Sequence, residues 1–203
     1  MPDLYLTGNP AADRLLSDDP NALLIGMLLD QQVPMEKAFS GPYVISQRMG
    51  GLDVRAIAEA DPEEFAVLCS TPPGVHRFPK SMAARIQDLC RILVTEYDGS
   101  AVRLYDAPTG QALAARIAKL PGFGKVKSQI FTALLGKQYG ITPPGWEQAG
   151  GEFASKQNYS VADVRDPESL ALVRASKKAQ KAAAKEAAQN LSQLSSITVI
   201  PAG

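Results

Sequence analysis

AlaLeuLeuIleGlyMetLeuLeu, Ala22 to Leu29, is eight residues without one polar side chain. At 3.6 residues per turn, a helix over this run shows apolar groups on every side. Such a helix has no face to offer water, so other elements must wrap it. Asp18-Asp19-Pro20 supplies its start, with proline suited to the first helical position, and Gln31 and Gln32 end it. The run is too short to span a bilayer. A chain of 203 residues is long enough to build the wrapping, and its 45% hydrophobic and 21% charged content is ordinary for a globular protein.

The wrapping material is helical, and strand signals are scarce. The pattern predicts helices over Met35–Met49, Leu52–Glu59, Pro62–Cys69 with Asp61 as N-cap, and Lys80–Tyr97. The last is the cleanest amphipath, with Met82, Ile86, Leu89 and Leu93 on one face. Further helices are expected over Gln111–Lys119, after Gly124, and from Pro167 onward behind an Asp166 cap. Residues 141–159 are rich in Pro, Gly and polar groups and read as a long loop, a feature usually functional or mobile. Ile197–Ile200 is a short β-prone run in the tail. The fold class expected is all-α in two lobes. The domain would span residues 1–175, followed by an Ala/Lys-rich helix and tail over 176–203.

Formal net charge is zero, but the charge is unevenly spread. The N-terminal third leans acidic, while basic residues gather at Lys119–Lys137 and Arg174–Lys185. Local patches govern binding more than the sum does. Cys69 and Cys90 both lie in apolar helical patterns and are expected as buried free thiols. Two cysteines cannot build a zinc or iron–sulfur centre, so no metal or other cofactor is expected. No signal-peptide pattern is present, and a cytoplasmic protein is the simplest expectation.

LeuProGlyPheGlyLysValLysSer, Leu120 to Ser128, joins two helical patterns through a tight turn. Gly122 and Gly124 give the turn backbone freedom. The helix that opens after Gly124 has unpaired N–H groups at the positive end of its dipole. With no side chain in the way, they suit a phosphate, and Lys125 and Lys127 add charge at the same place. A clamp of this kind grips backbone and is indifferent to base sequence. A plain helical hairpin without a ligand remains the alternative.

This segment resembles the helix-hairpin-helix motif of DNA-binding proteins, with Ser128 where alanine is usual. LeuLeuAspGlnGlnValPro, Leu28 to Pro34, and the helix Phe78–Leu93 resemble segments of the helix-hairpin-helix base-excision DNA glycosylases of the endonuclease III and AlkA-like group. The resemblance covers roughly residues 22–135 and implies a two-lobed helical fold that lacks the iron–sulfur motif found in some members. It implies a monomer that binds lesion-bearing duplex DNA, flips a base into a pocket between the lobes, and cleaves the glycosidic bond. Gln31 then aligns with the residue that fills the gap left by the flipped base, with Gln32 beside it.

Bifunctional members carry a lysine two positions after the second hairpin glycine. Here that position is Val126, which has no nucleophile, so a monofunctional glycosylase without lyase activity is expected. The family's catalytic aspartate has no counterpart at Thr142–Trp146. Asp163, in SerValAlaAspVal, is the candidate if residues 141–159 are an insertion, with a structural role as its alternative. Arg77 is a candidate DNA contact, and His76, Trp146 and Tyr43 are candidate pocket walls. The C-terminal helix brings Arg174, Lys177, Lys178, Lys181 and Lys185 near one face, either as a stripe along DNA or as a solvated surface. Without the aspartate, the same scaffold would be a non-catalytic DNA-binding or lesion-recognition protein.

Overall fold

A computed structural model describes residues 3–197, with side chains throughout except at positions 181, 184, 186–188 and 190–197. The expected side chain of Lys181 and the β-prone run beyond Ile197 therefore lie outside the described residues. In chain order the helices are α1 Pro10–Asp18, α2 Pro20–Leu29, α3 Met35–Met49, α4 Val54–Glu59, α5 Pro62–Ser70, α6 Pro79–Tyr97, α7 Ala101–Tyr105, α8 Gly110–Ala118, α9 Lys125–Gln138, α10 Trp146–Gly150, α11 Glu152–Ser155 and α12 Pro167–Ile197. No strand occurs among the described residues.

The apolar run is the centre of the molecule. Every residue of α2 from Ala22 to Leu29 is buried. Asp19 caps it by accepting from the Asn21 amide, and Pro20 takes the first helical position. Around it, α3 to α6 form one lobe and α8 to α11 the other, with α7 bridging them. The amphipathic α6 buries Met82, Ile86, Leu89 and Leu93 as its periodicity requires. Cys69 and Cys90 are buried free thiols, and burial pushes both up to about 12.

Three segments differ from expectation. α1 opens with Asn9 accepting from the Ala11 and Ala12 amides, and α7 is a single short helix after Gly99. Both are too short for period to reveal. Residues 141–159 are not one long loop, because α10 and α11 fold within them and pack on the back of α8 and α9. Trp146 holds them there against Gly136. A Cβ at Gly136 would lie 2.2 Å from Trp146 Cε3, so only glycine admits the indole. At the other end, the helix expected from Pro167 through the Ala/Lys-rich stretch is α12, which runs to Ile197.

Candidate functional site

The hairpin delivers its turn against the end of the central helix. Gly122 has φ +78°, which glycine adopts without penalty. A Cβ there would come within 2.7 Å of Leu28 Cδ1 and 3.6 Å of Gln31 Nε2. Gly122 thus lets the turn press on the last residues of α2. Gly124 works differently. It is extended (φ −102°), serves as N-cap of α9 without a side-chain cap bond, and has nothing near its missing Cβ. Its smallness leaves the first amides of α9 open to a ligand. Lys125, exposed at the first position of α9, stands beside them.

Lys127 turns inward. Its Nζ donates to Leu28 O at 2.9 Å and lies 5.3 Å from the centre of the buried Phe123 ring. A cation on the last carbonyls of α2 sits at the favourable, negative end of that helix. Burial nevertheless lowers its pKa to about 8. Asp30 opposes that shift and Arg85 adds to it.

Asp30 is the C-cap of α2, the least favourable place on a helix for a carboxylate. Burial raises its pKa, while Lys177 and Lys127 lower it and Glu36 raises it further. Arg85 Nη1 donates to Gln31 Oε1 at 3.0 Å, and Gln31 Nε2 donates to Leu28 O at 2.7 Å. Asp30, Gln31, Lys127 and Arg85 therefore gather where the end of α2 meets α6 and α9, here called the cleft, with Glu36 and Lys177 acting on Asp30 from beside it. Sequence reasoning missed Asp30, Arg85, Glu36 and Lys177 as a group. The one signal available was Asp30 itself, a charge placed directly after a helix with no polar side.

Asp163 is not in this cleft. It closes a capping box with Ser160 and accepts from the amides of Tyr159 at 2.9 Å and Ser160 at 3.2 Å. Its other oxygen accepts from Lys137 Nζ at 2.6 Å, with the side chains only 14% and 8% exposed. Lys137 is at the end of α9 away from the hairpin, roughly 20 Å along the helix. With its oxygens fully engaged, Asp163 fastens the turn after α11 to α9. Those bonds are what the structural alternative for Asp163 requires, and the residue lines a separate pocket with Arg165, Asp166 and Ser169.

Other expected residues are redistributed. Gln31 is half-buried and bonded at both ends of its amide, to Leu28 O and to Arg85. Gln32 is exposed, with φ +57°, a strained left-handed position for a residue with a side chain. Ser128 is buried, with its hydroxyl donating to Lys125 O at 2.8 Å. His76 is also buried. Its Nδ1 accepts from the Phe78 amide at 3.0 Å, which leaves the ring proton on Nε2 to donate to Gln31 O at 2.8 Å. It braces the loop under Gln31 and offers no free edge to a base. Arg77 is exposed next to it, 5.2 Å over the Phe78 ring. Trp146, seated on Gly136, lies behind the hairpin and not in the cleft. Tyr43 is half-buried two turns along α3, with no hydrogen bond or ring contact to a cleft residue.

Two helical lobes around a glycine hairpin whose open helix N-terminus adjoins a carboxylate–lysine cleft describe a known scaffold. The model of the HhH-GPD superfamily base excision DNA repair proteins matches residues 25–194, well over half of the chain. The chain belongs to that superfamily. No curated protein and no solved structure matches it. The HhH-GPD assignment makes this a base excision DNA repair protein that acts on DNA, and the matched span contains the hairpin, Asp30 and α12 up to residue 194. Among the described residues, no helix is long and apolar enough to cross a membrane.

Proposed function

We propose that the protein is a monomeric, monofunctional DNA glycosylase that removes a damaged or mismatched base from duplex DNA, with Asp30 as its carboxylate. The observation that carries this reading is Asp30 itself, a part-buried acid across the cleft from a part-buried lysine of the hairpin. The open amides of α9 and Lys125 grip a phosphate of the strand. Gln32, projecting and otherwise unbonded, enters the stack as the base leaves it. The C1′–N bond breaks with its electron pair going to the base, which takes a proton from solvent, balanced when Asp30 later releases to solvent the proton it takes from water. Water adds to C1′ and yields an abasic site. Asp30 stabilises the cationic sugar and accepts the proton of the incoming water, a task suited to a carboxylate whose proton affinity burial has raised. Position 126 is valine and 58% exposed, so it supplies no nucleophile.

The test is incubation with duplexes carrying different lesions, followed by alkali to reveal abasic sites. Cleavage on at least one lesion, lost in Asp30→Asn and kept in Asp163→Asn, is expected. Binding without cleavage on any lesion would leave a lesion-recognition protein.

A second reading is favoured by the place of Lys127, a part-buried hairpin lysine held at Leu28 O beside Asp30, whose pKa burial lowers to about 8. A neutral amine beside the cleft could attack C1′ and cut the strand by elimination, giving the chain lyase activity from the residue after Val126. Borohydride trapping decides this. A trapped adduct at Lys127 whose yield rises as pH climbs through 8 would replace the monofunctional reading. No adduct keeps Lys127 as a grip on α2.

A further inference from the structure

The C-terminal helix extends well past the two lobes, yet its early turns are fastened at a particular place. Val173 is 2% exposed and Leu170 packs on the core, which fixes the rotation of α12. Arg174 then pairs with Glu36 through Nη2 and Oε1. The two residues are 138 apart in sequence, so this contact reflects the fold and not local chain proximity. Glu36 lies in the first turn of α3, directly after the short segment that begins at Asp30. Lys177 is three residues beyond Arg174 and therefore on the same side of α12, about one turn further along.

We propose that α12 is a wall of the catalytic cleft: Arg174 docks it on Glu36, and Lys177 is thereby set over Asp30 as a positioning residue. The inference rests on the glycosylase reading for the word catalytic, but not for the arrangement itself. Among the described residues, the charged groups that act on Asp30 are then assigned. Lys177 comes from α12, Lys127 from α9, and Glu36 from α3 with Arg174 neutralising it. Arg85 of α6 faces Lys127 and holds Gln31, and the His76 ring is committed to Gln31 O. Among the charges, Lys177 acts on Asp30 more strongly than Lys127 does. A purely solvated helix would leave Asp30 indifferent to residue 177. A wall of the cleft makes the ionisation of Asp30 depend on it, and so makes excision on the acid side depend on a helix outside the two lobes.

The experiment uses the full chain and needs no DNA. The carboxyl carbon of Asp30, located by its loss in Asp30→Asn, is titrated by NMR in the wild type, Lys177→Met, Lys177→Arg, Arg174→Met and Lys178→Met. The Asp30 midpoint is expected to move to higher pH in Lys177→Met and Arg174→Met, and to stay in Lys177→Arg. Lys178 points about 100° away around the helix, so its variant should leave the midpoint in place. An unmoved midpoint in Lys177→Met, or an equal shift in Lys178→Met, overturns the proposal. If the midpoint moves as expected but no lesion is excised, the wall stands and the glycosylase reading falls. If excision is found, its acid limb should move with the midpoint in Lys177→Met.

Discussion

One helix carries two lysine–aspartate pairings, and they are built oppositely. At the far end of α9, Lys137 and Asp163 meet at 2.6 Å, and the spare oxygen of Asp163 takes two backbone amides. At the hairpin end, Lys127 and Asp30 feel each other's charge without forming an ion pair. Lys127 spends its bond on a backbone carbonyl, and Asp30 remains a part-buried acid with raised proton affinity. The first pairing is satisfied and inert. The second keeps two groups desolvated and unpaired with each other, an arrangement that suits a reactive site.

The sharpest break between them is chemical. Asp30→Asn should lower base excision by about 100- to 1,000-fold, as expected for loss of a group aimed at transition-state charge, measured as single-turnover abasic-site formation. The same variant should be more stable than wild type at neutral pH. A carboxylate whose folded pKa is raised costs stability once pH exceeds that pKa, and asparagine removes the cost. Chemical denaturation checks this.

Asp163→Asn should show the reverse. It leaves Lys137 buried without its partner, so about 3 kcal/mol of stability should disappear in a denaturant titration, with excision per folded molecule unchanged. A large catalytic loss with normal stability in this variant would restore Asp163 to the active site.

The two hairpin glycines refine the comparison at smaller scale. Gly122→Ala forces a side chain into a left-handed conformation and against Leu28, costing roughly 1–3 kcal/mol of stability. Gly124→Ala has space and an ordinary φ, so its stability should barely change while duplex affinity drops. Equal behaviour of the two would mean that the open amides of α9 do not hold phosphate.

The smallest effect is a pH signature. Lys127, lowered to about 8 from 10.5, binds its proton less tightly folded than unfolded. Wild-type stability should therefore gain an increment as pH rises from about 8 to 10.5, and Lys127→Met should lack it. Denaturation midpoints across that window measure the difference.

Much of the fold was legible because helix period is local information. The apolar turn-by-turn content of Ala22–Leu29 required burial, the spacing of Met82, Ile86, Leu89 and Leu93 required one packed face, and ProGlyPheGly required a hairpin. α10 and α11 were not legible, because what holds them is the fit of Trp146 on Gly136, which no period records. Ser128 illustrates the same limit, since its place after the glycines is visible but its burial against Lys125 O is not.

By itself, then, the sequence determined an all-α chain wrapped on one apolar helix, with a glycine hairpin bearing the marks of phosphate binding. Which carboxylate stands beside that hairpin was decided only in three dimensions. Asp163 and Asp30 are the same residue type, each next to a helix end. The difference lies in what surrounds them. Asp163 gains two amides from its own turn and a lysine from the end of α9. Asp30 lies in a cleft assembled from residues 85, 127 and 177, far apart along the chain. Desolvation and charge act through space, so the part-buried acid becomes visible only once those segments pack together.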